Sequence, residues 1–538
     1  MSEFLSHDGI RQTETVFFLL LVLVVVFGTI ARRIDVAYPI VLVVVGTIIG
    51  VVPGLPRFTL SPDIVFLTIL PPLLFHAAWQ TSWREFRYNA VSILMLAAGL
   101  VVFTVAGVAL ASNTLFPSLD WRTGIVLGAI VAPTDAIAAT SIARRVGLSG
   151  RATHVLEGES LVNDATGLLA LELGISLVLG KHTPTVTHES LHFLWLTIGG
   201  IAVGLAVAWL VRSFERFIDD GPIEITLSLV TPFVAYFLAE EVRASGVLAV
   251  VACGLYFGRH SSEFFSPGVR LQAVAVWKSL DFILNGVVFV LIGLQLPTVH
   301  DALHHYSALA LLGYAAGFSA FVIVLRLVWT YPGAYISYVI RRRLLGQQEQ
   351  LPSIKALFIV GWTGMRGVVS LAAALSLPEF MLDGTAFPSR DLIIFLTFST
   401  ILTTLVLQGL SLPWLIRILR FSQDRSTDRE EQEARRLMID ASLAHLKERQ
   451  KYLPKTPELT RLLQDMIRQH HNRLLFLQSW TMGTSGEVHK AFNAISREVL
   501  QIERNVAIAL RNEGKINDIV LRRLEHELDL SQARIDTH

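Results

Sequence analysis

The sequence predicts an all-α polytopic membrane protein of about thirteen transmembrane helices, arranged as inverted repeats with two broken helices and followed by a helical tail. Three observations predict it. Of the 538 residues, 52% are apolar and only 17% charged, with a mean hydropathy of +0.54, whereas a soluble domain carries about 25% charged residues. The charge is unevenly placed: Asp, Glu, Lys and Arg make up 37 of the 118 residues from Phe421 onward and 52 of the 420 before it. Two of the apolar segments also have polar, interrupted centres. A membrane domain over 1–420 and a cytoplasmic helical domain over 421–538 follow. The same composition excludes other classes. A net charge of +1 gives no footing for nucleic acid, and the single Cys253 supports neither a disulfide framework nor a thiolate metal cage. No Gly-rich phosphate-binding loop is present.

A bilayer core takes about 20 apolar residues per helix. Thirteen stretches qualify, at approximately 14–31, 38–54, 61–79, 89–111, 123–143, 158–180, 191–211, 223–241, 244–258, 274–297, 306–338, 354–377 and 391–416. The first is not a cleaved signal peptide: Glu14 and a mixed-charge start precede it, no small-residue cleavage site follows, and further apolar segments do. An odd number of spans sets the termini on opposite sides. Lys and Arg decide which. The odd-numbered loops hold fifteen (Arg32, Arg33, Arg84, Arg87, Arg144, Arg145, Arg151, Arg212, Arg216, Arg259, Arg270, Arg341, Arg342, Arg343, Lys355), the even-numbered ones five (Arg57, Arg122, Lys181, Arg243, Arg390). The N-terminus is therefore expected outside and the tail in the cytoplasm.

Three segments are interrupted. Segment three carries Pro71-Pro72, segment five carries Pro133 ahead of Thr134-Asp135, and segment twelve carries the Gly-rich run Gly361 to Gly367. Proline withholds a backbone donor and glycine weakens a helix interior. At membrane depth such breaks persist only where protein or water satisfies the freed groups. If segments one to six and eight to thirteen are inverted repeats, segment five corresponds to segment twelve, and paired broken helices point to a transporter's binding site. No repeat is visible at the level of residue identity, and two unrelated kinks are the plainer alternative.

An ionisable residue in a spanning helix costs about 2.5–3.5 kcal/mol at its centre and needs a reason. The strongest cluster runs from Glu157 through Glu159, Ser160, Asn163, Asp164 and Thr166 to Gly167. On a helix Ser160, Asn163, Asp164 and Gly167 share one stripe. It offers a hydroxyl, an amide and a carboxylate to one spot, oxygen ligands of the kind hard cations favour, with a glycine that permits close approach. Thr134 and Asp135 add a second hydroxyl and carboxylate; a helix cap is the local reading of that pair, and capping does not exclude transport. Arg366 cannot shed its charge and must find an anion. Glu159 is the expected partner, in a pair that locks two helices. Arg326 also lies deep and needs a partner, but the sequence assigns none. Glu172, Glu224, Glu240 and Glu241 sit near segment ends, where solvation or snorkelling accounts for them. Lys278 and Asp281 lie near the expected start of segment ten, where an interfacial role is favoured. His76 follows the Pro-Pro pair. A lone His is more often packed than proton-sensing, although an intrinsic pKa of about 6.5 suits a sensor.

The tail turns amphipathic from about Asp428. Leu459, Leu462, Leu463, Met466, Ile467 and Leu474 fit one helical face, and Phe492, Ile495, Val499, Ile502 and Val506 alternate at three and four, the spacing of a bundle or short coiled coil. With 19 basic and 18 acidic residues its polar faces read as solvated, and a regulatory or dimer-supporting domain is expected.

At these residues the chain resembles the bacterial NhaP-type sodium/proton antiporters of monovalent cation:proton antiporter family 1. The matching stretches are Leu70 to Phe75, Ala132 to Asp135, Glu157 to Asp164, Phe282 to Gly293 and Gly361 to Gly367, and the tail stretches Gly514 to Asp518 and Leu524 to Leu530 are similar to those of longer bacterial members. The likeness spans the whole membrane body, and the order and spacing of its motifs are specific. It implies the NhaA-like antiporter fold with crossed broken helices, a dimerisation part and a moving core part, and a homodimer in the bacterial inner membrane. It implies that Asp164 carries either a cation or a proton beside Asn163, that Ser160 and Thr134 contribute ligand oxygens to Na⁺, that Asp135 supports the crossing, and that Glu159 pairs with Arg366. The Asn-Asp pair is associated in the family with electroneutral exchange. One departure stands out: many relatives have an acidic residue shortly after the Pro-Pro stretch, where this chain has His76, so no cation ligand carries over from segment three.

The expected activity is secondary active Na⁺(Li⁺)/H⁺ antiport by alternating access, one ion for one, with no cofactor and no enzymatic chemistry. A carboxyl withdrawn from water binds a proton more readily than one in bulk, so both ions compete for it. Neutralised by either ion, the site can cross a dry barrier that the bare charge cannot. A K⁺/H⁺ antiporter of the same fold is the nearest rival. A cation channel and an intramembrane hydrolase built on Asp135 and Asp164 are rivals of other classes.

Overall fold

The computed structural model describes residues 7–52, 61–135, 140, 150–180, 186–218, 220–301, 303, 306–347, 351–381, 384–419, 426–452, 456–481, 486–513, 515 and 517–536. Among these residues every regular element is helical; the one β feature is an isolated bridge between Phe380 and Ala386. The chain falls into two compact units, Met1–Asp424 and Arg425–His538.

The first unit begins with α1 (His7–Arg33) and α2 (Tyr38–Gly50). A π-helical stretch, Ile64–Ile69, then feeds α3 (Leu70–Gln80). The cause is local: Pro71 and Pro72 withhold the donors that would close turns onto Leu67 and Thr68, and the ladder widens. The short α4 (Trp83–Tyr88) precedes α5 (Ala90–Leu94), which passes through a second π-helical stretch, Met95–Gly99, into α6 (Leu100–Leu115). Here the wide turn releases main-chain carbonyls that other helices satisfy: Trp329 Nε1 donates to Met95 O at 2.9 Å and Thr166 Oγ1 to Ala97 O at 2.5 Å. There follow α7 (Trp121–Val131), α8 (Gly150–Val178), α9 (Val186–Glu215), α10 (Gly221–Glu241), α11 (Gly246–Phe264), α12 (Pro267–Leu294), α13 (Leu296–Asp301) and α14 (Ala308–Arg343). Next come α15 (Ile354–Trp362) and α16 (Val368–Leu375), the halves of one broken helix. The unit ends with α17 (Arg390–Thr403), a third π-helical stretch at Thr404–Gln408, and α18 (Gly409–Leu419).

Among the described residues, seven helical stretches are long and apolar enough to cross a bilayer: Ala90–Leu115, Ala152–Val178, Leu191–Glu215, Gly221–Glu241, Gly268–Leu294, Ala308–Arg343 and Arg390–Leu419. Four shorter apolar helices join them, Tyr38–Gly50, Ile64–Gln80, Trp121–Val131 and Gly246–His260. Each expected segment falls on one of these helices, on α1, or on α15 with α16. Arg57, Arg144, Arg145, Lys181 and, apart from Thr140, the second half of segment five at 136–143 lie outside the described residues. Segment ten starts earlier than expected. Ser266 Oγ caps Val269 N and Pro267 occupies the first turn, so α12 opens at Pro267 through a polar turn that hydropathy alone passes over.

Two hydrophobic cores organise the unit. The larger runs through α1–α3 and α9–α12 and takes in inner residues of α8 and α15–α18. The other is built from α6–α8, α13, α14, α16 and α17. The outer surface keeps large apolar side chains exposed, among them Leu191, Trp195, Ile198, Trp209 and Phe214 along α9, a surface suited to lipid and not to water.

The second unit holds α19 (Ser426–Tyr452), α20 (Pro457–Thr481), α21 (Gly486–Asn512) and α22 (Asp518–Asp536). Helix α19 packs on α20 and α21 on α22, the latter pair joined by Arg504 Nη2 to Asp529 Oδ1 at 2.6 Å. Both amphipathic runs lie on helices as expected. The Ile495, Val499, Ile502 and Val506 stripe is exposed on α21, and the Phe492 side chain lies outside the described residues.

Candidate cation and proton site

The site is assembled from the intact α8, the non-helical residues that follow α7, and the break between α15 and α16. Helix α8 runs uninterrupted from Gly150 to Val178 and bears Glu159, Ser160, Asn163, Asp164 and Gly167. Helix α7 ends at Val131, so Ala132 to Asp135 are non-helical, and the α15–α16 helix is interrupted between Thr363 and Gly367. The two breaks meet. Asp135 N donates to Met365 O at 2.8 Å, one freed main-chain group satisfying another. The crossing needs glycine twice. A Cβ on Gly367 would come within 2.5 Å of Asp135 Oδ2, and one on Gly167 within 2.3 Å of Pro133 Cγ. The first contact sets the Asp135 carboxylate against the N-terminus of α16, where the partial positive charge of the helix end favours an anion. The second seats the α7 break on the face of α8.

A buried polar network extends from the crossing. Thr134 Oγ1 donates to Glu159 Oε1 at 3.0 Å and accepts from Asn163 Nδ2 at 2.8 Å. Because the hydroxyl proton is already committed to Glu159, the amide must present its nitrogen to Thr134. That leaves Asn163 Oδ1, which is buried and has no hydrogen-bond partner. Glu159 receives Arg326 on both oxygens, at 2.5 Å from Nη1 and 3.0 Å from Nη2, with each side chain only 1% exposed. Arg326 Nη2 also reaches Val360 O at 3.3 Å. This corrects the expected partnership of Glu159 with Arg366 and gives Arg326 the anion it requires. The Arg366 guanidinium instead donates to Val131 O at 3.1 Å and to Gly364 O, while its main-chain N donates to Thr404 Oγ1 at 3.1 Å. Breaking a helix strands carbonyls at its C-terminal end, where a cation is favoured. Arg366 serves the stranded end of α7 and the break that follows α15. A guanidinium beside several orphaned carbonyls has no need of the nearest carboxylate.

Asp164 differs from all of these. It is 7% exposed, and among the described residues nothing donates a hydrogen bond to its carboxylate. Asp135, half-buried, lies within Coulombic reach of it. Ser160, also half-buried, stands one turn earlier on the same helix. Ser160, Asn163, Asp164 and Gly167 thus lie on one uninterrupted helix, with Thr134 joining Asn163 to Glu159.

His76 lies elsewhere, on α3. Its imidazole stacks on Trp277 of α12 with ring centroids 5.5 Å apart. Nδ1 is 3.4 Å from Asp281 Oδ1, and Nε2 is 2.6 Å from Gln80 Nε2. Hydropathy starts segment ten at 274, seven residues after α12 begins, and so sets Asp281 near a helix end and apart from His76. Asp281 is the fifteenth of the 28 residues of α12, mid-helix and not near its start.

A helical membrane body in which the end of α7 meets the α15–α16 break, with a buried carboxylate that has no donor among the described residues, fits a secondary transporter, not an enzyme. Residues 18–418 match the model of the transmembrane sodium/hydrogen exchangers, and the chain belongs to that family of multi-pass antiporters, which exchange a monovalent cation for protons. It is 32% identical to an uncharacterised Na⁺/H⁺ exchanger of Mycobacterium tuberculosis, over 99% of this chain and 98% of the relative. It is 33% identical to the Na⁺/H⁺ antiporter ApNhaP of Aphanothece halophytica, over 77% and 75% of the two chains. It is also 28% identical to a sodium, potassium, lithium and rubidium/H⁺ antiporter of Bacillus subtilis, over 92% and 74%. The fold is that of the sodium proton antiporter MjNhaP1 from Methanocaldococcus jannaschii, with a TM-score of 0.57 at 20% identity, covering 76% of this chain and 98% of that one.

Proposed function

We propose that the protein exchanges Na⁺ or Li⁺ for H⁺ electroneutrally, with both ions competing for Asp164. The observation that carries this reading is the Asp164 carboxylate, buried and without a donor among the described residues, on the same helix as the unpaired Oδ1 of Asn163. A structural aspartate at such a depth would be held by donors, because an unpaired buried charge is costly. An exchanging one must be free to take each ion in turn. Ser160 and Thr134 supply hydroxyl oxygens to the cation, and the orphaned Oδ1 of Asn163 adds a third. Asp135 holds the crossing in register and lends negative potential. Glu159 and Arg326 cancel each other and keep the α8 face fixed.

The bare Asp164 charge is expensive to carry through a dry barrier, whereas the neutralised form is not. The moving part therefore crosses only when loaded, and exchange proceeds without ATP. One charge replaces one charge, so the stoichiometry is one to one. The protein acts as a homodimer in the bacterial inner membrane, with its N-terminus outside. The helical tail lies in the cytoplasm, where it supports regulation or assembly. K⁺ is the second reading, favoured by the Bacillus relative whose name includes potassium; it would use the same oxygens with a wider spacing.

Proteoliposomes holding the full chain and a pH-sensitive dye test the reading. Addition of Na⁺ or Li⁺ should move protons, K⁺ should do so less, and Asp164→Asn should be silent while still purifying as a folded protein. Undiminished exchange by that variant would remove the assignment.

A further inference from the structure

Asp281 and His76 take no part in the network around Asp164. Asp281 sits mid-helix with its side chain 31% exposed, while His76 is 9% exposed. A carboxylate at such a depth cannot face hydrocarbon without heavy cost, so its exposed portion marks water. Gln80, one turn beyond His76 on α3, is exposed as well.

The imidazole is held so that either protonation state can be accommodated. With Gln80 Nε2 donating at 2.6 Å, ring Nε2 is the acceptor and Nδ1 carries the proton toward Asp281, 3.4 Å away. A proton added at Nε2 would set two donors against each other until Gln80 turned its amide over. The resulting imidazolium would lie over the Trp277 face, a favourable cation–π arrangement. The indole is itself fixed by Nε1 donating to Ser228 Oγ at 3.1 Å.

The helices of this pair pack on those of the site: α3 on α8, which bears Asp164, and α12 on α16, whose N-terminus faces Asp135. Tyr38 of α2, the helix packed along α12, has its ring 5.4 Å from that of Phe282 and is within Coulombic reach of both Asp281 and Asp135. The other charged or titratable groups on the helices packed against the pair are otherwise placed. Lys278 is exposed on α12. Arg32 of α1 lies over the Phe282 ring. Tyr256 and His260 of α11 contact each other, with Arg212 on the Tyr256 hydroxyl. His154 and Glu157 of α8 pair at 3.7 Å. Glu224 and Glu240 lie toward the two ends of α10.

We propose that Asp281 is a vestibule carboxylate that concentrates the incoming cation for Asp164, and that His76 is its proton-dependent counter-charge. With His76 neutral, Asp281 is bare and draws cations; with His76 protonated, the pair is neutral and the draw is lost. The proposal rests on Asp164 as the exchanging group. Asp281 and His76 are positioning residues in it, acting on access and not on the bound ion.

The test measures the Na⁺ half-saturation of the full-length protein in proteoliposomes from about pH 6 to pH 8.5. Asp281→Asn should raise it roughly three- to tenfold at alkaline pH, the scale of one partly screened charge, with the maximal rate held within about twofold. Asp281→Glu should restore it. His76→Gln should leave the alkaline value alone and lower the acid value, flattening the pH profile. An unchanged half-saturation in Asp281→Asn overturns the proposal, as does a loss of maximal rate that Glu does not rescue. If Asp281→Asn fails to reach the membrane, His76→Gln decides alone, and an unaltered profile is then the overturning result. Asp164→Asn measured alongside separates the two layers. Continued exchange there sinks the underlying assignment, whereas silence there with ordinary behaviour in Asp281→Asn sinks only the vestibule.

Discussion

Replacing Arg326 by Met removes a guanidinium while keeping most of its length and apolar volume. What is left behind is Glu159, 1% exposed, with a single donor, the Thr134 hydroxyl. The substitution deletes two charge-assisted bonds, at 2.5 and 3.0 Å, and a third to Val360 O at 3.3 Å. Removing one partner of a buried pair costs about 3–5 kcal/mol, most of it the penalty of the stranded charge. The assay is denaturant-induced unfolding in detergent micelles followed by tryptophan fluorescence. Arg326→Met should lose about 3–5 kcal/mol by this measure. Adding Glu159→Gln should recover roughly 2 kcal/mol or more, because the orphaned charge is gone. The same cycle run with Arg366→Met distinguishes the two arginines. That variant should also destabilise, through the carbonyls of Val131 and Gly364 that it abandons, but its coupling to Glu159→Gln should be less than half as large. Equal couplings, or a larger one for Arg366, would refute the assignment of Glu159 to Arg326.

Other outcomes follow from the same geometry. Thr134→Val strips a hydroxyl that serves Glu159 and Asn163 at once, and should cost about 1–3 kcal/mol in the same unfolding assay, with weakened Na⁺ half-saturation in proteoliposomes. Gly367→Ala forces a methyl into the Asp135 carboxylate and should cost about 1–3 kcal/mol, with exchange slowed in everted vesicles. Competition at one carboxylate means that lowering the pH raises the Na⁺ half-saturation while leaving the maximal rate intact at saturating Na⁺; a maximal rate that collapses while half-saturation stays constant contradicts it. A solid-supported membrane should register almost no steady transport current, and a large one contradicts one-for-one exchange. Truncation near Ser422 should change the rate or the pH profile if the tail regulates, and leave both intact if it serves assembly alone.

Much of the fold was legible in the sequence because its causes are local. Runs of apolar residues of bilayer length mark helices whatever their neighbours, and Pro133 and the Gly361–Gly367 stretch advertise their breaks through missing donors and missing side chains. The Ser160, Asn163 and Asp164 stripe follows from helical spacing alone. What stayed hidden was pairing at long range. Glu159 and Arg326 are 167 residues apart, and nothing along the chain states which of two deep arginines faces α8. The break itself carries the signal: a cation inside an interrupted helix sits among freed carbonyls, so Arg366 has partners of its own, whereas Arg326 on the uninterrupted α14 needs a carboxylate. His76 and Asp281 were separated for a different reason. Hydropathy places the start of a helix at its first greasy turn, and the Ser266 cap with Pro267 starts α12 earlier, which moves Asp281 from the edge to the middle.

The bidentate union of Glu159 with Arg326 also bears on bioenergetics. In the exchange proposed for Asp164, this pair contributes no net charge to whatever moves with it, and a loaded Asp164 adds none. An electric field across the membrane then has no hold on these groups. Such a carrier would be driven by concentration differences alone, and a cell could use it to trade salt for acidity whether its membrane were polarised or collapsed.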